Sequence, residues 1–408
     1  MTVQVEAIDL ADPDLYATGD MWGVWRYLQD RHPVFWNRRP DGSGFWALTR
    51  HRDAVALYYD TQSFTSERGM TVVTDAAAGR AAGGRLLITT DDPRHRQIRD
   101  VMGPVFAPKA IAGLEPTMRE VARRLLDRVR SGEPFDFVDT VAAILPSTLI
   151  CQLLGVPRED WDLMIELTSV AFGSVAALPG VDQVSEAEKT EAHANIFLYY
   201  RDLLKERRRN PGDDIVSRLA HGRIDGRPLT DQEVLLNLNG VVTGGSETTR
   251  HSGAGAVIAL IENPGEWERL RRDPSVLPTA VEEVLRWTAP SLHVMRTALR
   301  DTTVAGQRVR AGERVSVWHP PVNRDEDAFP HAERFDVGRS PNKHLTFGLG
   351  LHFCIGATLT RLELQVLLDE LRNRVEHMEL SGPVKRLRSA VMWGVDRVPV
   401  RFEMRDAR

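Results

Sequence analysis

The 408-residue sequence predicts a mainly α-helical protein with small β-sheets. Three observations lead there. Helical periodicity or dense helix formers occupy most of the chain, the strand-like pieces are short and sit towards its two ends, and no internal repeat or low-complexity linker divides it.

The helical stretches, in order, are 93–107, 109–131, 137–153, 158–176, 185–210, 231–262, 277–288 and 357–374. The strand-like pieces are 33–37, 44–49, 302–305, 314–318 and 398–402. The uncharged run 140–157 contains Pro146, Ser147, Thr148 and Gln152, which makes it a buried helix too short and too polar to span a bilayer. Segment 231–262 has the clearest bounds. Thr230 with Glu233 forms a capping-box start, and Asn263-Pro264 is a stop. Yet Gly240, Gly244, Gly245, Gly253 and Gly255 interrupt it, each costing roughly 1 kcal/mol relative to alanine. A helix of roughly 48 Å, at about 1.5 Å per residue, that accepts this cost is expected to have another element or a flat ligand pressed against the missing side chains. The expectation is one domain over residues 1–408.

Composition is that of a soluble globular enzyme, 42% hydrophobic and 27% charged, and a formal net charge of −5 argues against a general nucleic-acid binder. The first twenty residues carry Glu6, Asp9, Asp12, Asp14 and Asp20, unlike a basic leader followed by an apolar run. A cytoplasmic protein that does not enter membranes is expected. The two cysteines, Cys151 and Cys354, suggest a reducing compartment. Cys151 lies in the apolar run L-I-C-Q-L-L and reads as a packed core thiol.

Cys354 has different surroundings. Residues 347–356 read F-G-L-G-L-H-F-C-I-G, followed by the helix former A-T-L-T-R-L-E-L. Gly348, Gly350 and Gly356 permit tight turns and close approach to a plate-like ligand. A cysteine just before a helix N-terminus is where backbone N–H groups and the dipole favour a thiolate, the form in which cysteine ligates haem iron. A zinc site from His344, His352 and Cys354 would lack the paired spacings of common zinc sites.

The ten-residue string resembles the cysteine-ligand loop of the cytochrome P-450 superfamily, F-G-x-G-x-H-x-C-x-G, at every fixed position. The resemblance implies a cytochrome P-450 fold, haem b (iron protoporphyrin IX) with Cys354 as thiolate ligand, and a haem-thiolate monooxygenase. It extends along most of the chain. V-V-T-G-G-S-E-T-T looks like the oxygen-activation segment, with Glu247 and Thr248 as the acid–alcohol pair that relays protons, and with Gly244-Gly245 opening the helix over the iron. Glu283 and Arg286 match the family's E-x-x-R, and Arg334 in H-A-E-R-F its third, structural member. His95 and Arg99, in H-x-x-x-R, together with Arg296 and His352, match contacts to the haem propionates. Phe347, Gly348 and Gly356 complete the cofactor set. By family position the substrate pocket is lined by Leu86, Leu87, Ile88, Gly240, Val241, Gly244, Leu292 and Val294. Thr360 replaces the usual alanine after the cysteine, and P-P-V-N-R-D replaces a small-residue lead into N-R-D; neither bears on ligand or relay.

The implied reaction inserts one atom of dioxygen into an organic substrate, as hydroxylation or epoxidation, in bacterial secondary metabolism. Without a flavin or iron–sulfur motif the chain needs electrons from a ferredoxin and its reductase, docking on a basic patch of Arg94, Arg96, Arg339 and Lys343. P-S-L-H-V-M-R with G-G-S-E-T-T-R-H resembles enzymes that hydroxylate amino acids tethered to carrier proteins; a free terpenoid, steroid or polyketide-like molecule is the alternative. The chain is expected to act as a monomer. A peroxide-driven variant, a haem sensor without catalysis and a hydrolase built on Ser246 stay open, the last lacking a G-x-S-x-G elbow.

Overall fold

The computed structural model describes residues 7–74, 76–171 and 184–405. The fold turns on the long helix Asp231–Glu262, which begins at the capping box: the Thr230 side chain accepts the Glu233 N–H, and the Thr230 N–H donates to Glu233 at 2.8 Å. Around it pack Ile144–Leu154, Glu186–Arg209, Leu277–Thr288 and Ala357–Arg374. Four of its glycines answer the cost noted above. A Cβ at Gly240 would lie 2.9 Å from Leu86 Cδ1, at Gly253 3.1 Å from Leu367, at Gly255 2.6 Å from Thr288, and at Gly245 it would overlap Ile150. Gly244 alone faces open space.

Most predicted bounds agree with the structure: 231–262, 277–288 and 357–374 are found as read, and 185–210 forms Glu186–Arg209. Stretch 93–107 forms Arg94–Met102 followed by a tight turn, Gly103–Phe106. Stretch 109–131 divides into Pro108–Ala112 and Glu115–Leu126 at Gly113, and 137–153 into a wide turn, Val138–Ala142, and Ile144–Leu154. Stretch 158–176 begins with a short turn and continues as Trp161–Ala171; its last residues lie outside the described ones. Ile144–Leu154 is buried along nearly its whole length, and Cys151 within it is a core thiol that burial pushes up to about 12. Among the described residues no helix is long and apolar enough to cross a membrane.

The largest sheet has the order Val34–Arg38, Gly44–Leu48, Arg314–Trp318, His293–Ala298, Phe64–Thr65, with Gly44–Leu48 and Arg314–Trp318 parallel and the other neighbours antiparallel. A second sheet sets Pro399–Met404 between Val375–Leu380 and Pro134–Asp136. The piece at 302–305 pairs only with its hairpin partner Gln307–Val309.

Glu283 and Arg286 are fully buried and joined by two hydrogen bonds of 2.8 Å. Their third member is not Arg334. That side chain is 68% exposed and 3.7 Å from Glu266, and only its carbonyl takes part, accepting from Arg286 at 3.1 Å. The backbone turns at His331 (φ 56°), so the carbonyls of this stretch face inward and the Arg334 side chain faces out. Arg339 returns five residues later to donate to Glu283 at 3.1 Å, with its side chain 9% exposed. Arg339 is therefore also removed from the predicted surface patch. Arg339→Ala should cost about 3–5 kcal/mol, the loss expected when a buried ion pair is broken; Arg334→Ala should stay within about 0.5 kcal/mol. Denaturant midpoints of the two variants check the contrast.

Candidate functional site

The Cys354 loop is shaped by two left-handed glycines, Gly348 (φ 64°) and Gly350 (φ 66°). Gly350 has a second reason to be glycine: a Cβ there would lie 3.0 Å from the carbonyl of Tyr58, on the helix His51–Tyr59 that supports the loop. The loop closes through the Cys354 N–H, which donates to the Phe347 carbonyl at 3.0 Å. Burial raises the Cys354 thiol above its ordinary value, while the Gly356 amide and the charges of Arg99 and Arg361 act to lower it. The helix Ala357–Arg374 starts immediately after, adding the positive end of its dipole. Arg361 covers the Phe347 ring at 4.7 Å and is bound to Glu282 at 2.6 Å. His344 also engages Glu282, at 3.2 Å, so it does not join Cys354 in a zinc site; among the described residues no cluster fits a metal held by protein side chains alone.

Four basic side chains meet on one side of this loop. The His95 and His352 rings touch with centroids 4.5 Å apart. His95 is buried, and neither of its ring nitrogens makes a hydrogen bond, Nδ1 standing 3.9 Å from Asp92. His352 bonds Ser66 through Nε2 at 3.1 Å and leaves Nδ1 unpartnered. Burial, then Arg99, lowers His95; burial, then Arg296, His95 and Arg99, drives His352 down to about 2. Arg296 extends from the strand His293–Ala298 and is lowered by burial. Two acids border the group: Asp91 is committed to Thr65 at 2.5 Å and to the Ser66 N–H at 3.0 Å, and Asp92 is bound by Arg96 at 2.8 Å. Two arginines beside imidazole nitrogens that lack hydrogen bonds, with both nearby acids already engaged, suit an anionic partner. The two carboxylates of a haem would fit that role, with Cys354 as the residue that would hold the iron. Tyr58, which approaches Arg296 and bonds His319 Nε2 at 2.7 Å, belongs to this surround. Nothing in the local pattern A-L-Y-Y-D marked it.

On the long helix, the Thr248 hydroxyl donates to the Gly244 carbonyl at 2.6 Å. The helix is not opened at Gly244-Gly245; it continues from Asp231 to Glu262, and the hydroxyl caps the exposed carbonyl instead. Glu247 turns away from Thr248. Its carboxylate is 3.2 Å from Arg250 and 3.5 Å from His251. Burial would raise it, but those two neighbours outweigh burial and hold it below the usual carboxylate value. Ser246 is buried with its hydroxyl unpartnered, so no base activates it as a nucleophile.

The predicted pocket residues are only partly brought together. Asn237 accepts the Leu87 N–H at 2.9 Å and donates to the Arg85 carbonyl at 2.8 Å, which docks segment 85–88 on the long helix. Leu86 meets Gly240, and Ile88 is 39% exposed. Leu87 and Val241 are buried in the main core. Leu292 is fully buried among Trp25, Met295 and Trp318 and faces that N-terminal core, correcting its place in the pocket. Val294 is half-buried on the same strand as Arg296. Of the predicted basic patch, Arg96 and Lys343 are exposed, whereas Arg94 is tied to Glu233 and the Gly84 carbonyl.

The comparisons agree with this geometry. The family profile described as Cytochrome P450 matches residues 14–378. The chain is 39% identical over 400 residues to Cytochrome P450 NovI of Streptomyces niveus, covering 98% of this chain and 97% of the relative. It is 34% identical to Linalool 8-monooxygenase of Pseudomonas putida, over 97% and 99% of the two chains. Among solved structures, P450 OxyD, involved in the biosynthesis of vancomycin-type antibiotics, superposes with a TM-score of 0.90 at 38% identity, over 98% of this chain and 100% of that one. The protein belongs to the cytochrome P450 family and is a haem-thiolate monooxygenase.

Proposed function

We propose that the chain folds as one catalytic domain over residues 1–408, binds haem iron through Cys354, and holds the propionates with His95, Arg99, Arg296 and His352. The observation that carries this reading is the set of buried ring nitrogens on His95 and His352 that make no hydrogen bond, beside Arg99 and Arg296, while Asp91 and Asp92 are held by other donors. Phe347, Gly348 and Gly356 shape the thiolate side. Bound there, the haem supplies dioxygen activation and transfer of one oxygen atom to the substrate, the other leaving as water.

The remaining work belongs to the chain. Thr248 Oγ1 holds a proton next to Gly244, and Glu247 passes protons towards that hydroxyl from the far side of the helix. Leu86, Ile88, Gly240, Gly244 and Val294 bound the substrate. Electrons come from a ferredoxin and its reductase, which approach the cysteine side where Arg96 and Lys343 are exposed. The protein acts as a cytoplasmic monomer. The substrate is an amino acid tethered to a carrier protein, supported by P-S-L-H-V-M-R, by G-G-S-E-T-T-R-H and by the similarity to OxyD. A free terpenoid is the second reading, favoured by the match to Linalool 8-monooxygenase.

Reduced protein exposed to carbon monoxide should show a far-red-shifted Soret band that Cys354→Ser abolishes; haem with an unshifted band in the wild type would refute thiolate ligation. Thr248→Val should keep that band and lower product formation on the order of 10²-fold, with electrons lost to peroxide. Unchanged product yield would remove Thr248 from the relay. With ferredoxin and reductase supplied, turnover should require the carrier-bound amino acid. Equal turnover of the free acid would reject the tethered substrate, and turnover on peroxide alone would reject the ferredoxin.

A further inference from the structure

His251 is placed more tightly than a core histidine needs to be. Its side chain is fully buried, and its ring lies flat on the backbone of Gly394, where any Cβ would fall 2.5 Å from ring atoms Cγ and Nδ1. The next residue, Val395, points its N–H at Nδ1, at 3.4 Å. An Nδ1 that accepts cannot also carry a proton in the neutral ring, so the proton sits on Nε2. Nε2 is the atom 3.5 Å from Glu247, one turn earlier on the same helix face. The clamp is itself anchored: the Trp393 N–H donates to the Pro290 carbonyl at 2.7 Å, and the Gly394 carbonyl accepts from Leu387 at 3.1 Å. A C-terminal hairpin far from Cys354 in sequence thereby sets the tautomer of a residue beside the acid of the relay.

We propose that the Gly394–Val395 backbone makes His251 a positioning residue, one that presents Nε2–H to Glu247 and holds its carboxylate turned away from Thr248 between proton transfers. The inference rests on the relay reading of Glu247 given above. Arg250 shares the task from the same helix, at 3.2 Å. The other charged groups facing His251 are Asp396 on the hairpin, paired with Lys385 at 3.7 Å, and Glu262, Arg324 and Arg386 around a cavity of about 110 Å³ that His251 and Gly394 also line. Among the described residues none of these lies within ion-pair distance of Glu247, which leaves the two helix neighbours: Arg250 hydrogen-bonds it, and His251 Nε2 stands at 3.5 Å without yet having hydrogen-bond geometry. His251 adds what an arginine lacks, a donor whose direction the hairpin dictates.

The test is infrared titration of the Glu247 carboxyl in the holoenzyme, assigned by its loss in Glu247→Gln. In His251→Phe the change from carboxylate to acid should move to higher pH, because a donor to the charged form is gone. Gly394→Ala should move it the same way while keeping the histidine, since the new Cβ displaces the ring. His251→Gln, whose amide can donate, should return it towards wild type. A greater share of reducing equivalents should appear as peroxide in the first two variants. An unmoved transition in His251→Phe or in Gly394→Ala overturns the proposal, and so does His251→Gln shifting as far as the phenylalanine variant. The carbon monoxide spectrum should be retained throughout. A wild type without the thiolate spectrum would overturn the haem reading instead, leaving the infrared comparison to stand or fall by itself.

Discussion

The cysteine loop depends on a buried carboxylate some seventy residues before it. Glu283 accepts from Arg286 and Arg339, from the Asn342 side chain at 3.0 Å and from the Asp336 N–H at 2.9 Å. One side chain therefore gathers three points of an irregular segment that has little regular structure of its own. Asn323 continues the work, bonding the Leu345 N–H at 2.8 Å and Thr346 at 2.9 Å, immediately before the glycines that shape the approach to Cys354. A buried ionic network is weak evidence for stability in general, because desolvation opposes its Coulombic gain. Here its value is geometric, since it fixes where an irregular loop must lie.

Charge is arranged in opposite ways on the two sides of the site. Near Glu283, Arg286 and Arg339 each have that acid and a set of carbonyls. Around Arg99 and Arg296 the neighbours are instead the neutral rings of His95 and His352, and the two nearby acids, Asp91 and Asp92, are already engaged. Such an arrangement is costly for the polypeptide alone and becomes favourable when a dianionic ligand arrives. The same preference for external partners appears at Gly244, the single glycine of the long helix whose open side no side chain fills.

How much of this the sequence carried follows from the kind of signal each part has. Local chemistry was legible: the capping box and the Asn-Pro stop bounded a 32-residue helix, and the spaced glycines around Cys354 marked the loop. Short elements held by tertiary contacts were not. Helix His51–Tyr59 has no side-chain N-cap, and strand His293–Ala298 reads H-V-M-R-T-A, mixing buried and polar residues without clean alternation. Arg334 and Arg339 stand five apart in a loop, and no periodicity says which one turns inward; only the tertiary contact of Arg339 with Glu283 tells them apart. Leu292 was misplaced because a family position gives a place in the chain, not the direction of a side chain.

The contact between Leu86 and Gly240 bears on how such a site changes over time. Because Asn237 ties the 85–88 segment down, the two positions share one volume and the segment cannot simply retreat from added bulk. A Cβ at Gly240 would crowd only the terminal methyl of Leu86, which a change of rotamer can move, so small single steps stay open while larger ones call for compensation at 86. The two positions in this sense hold one allowance of volume in common: bulk gained at one is bulk the other must make room for.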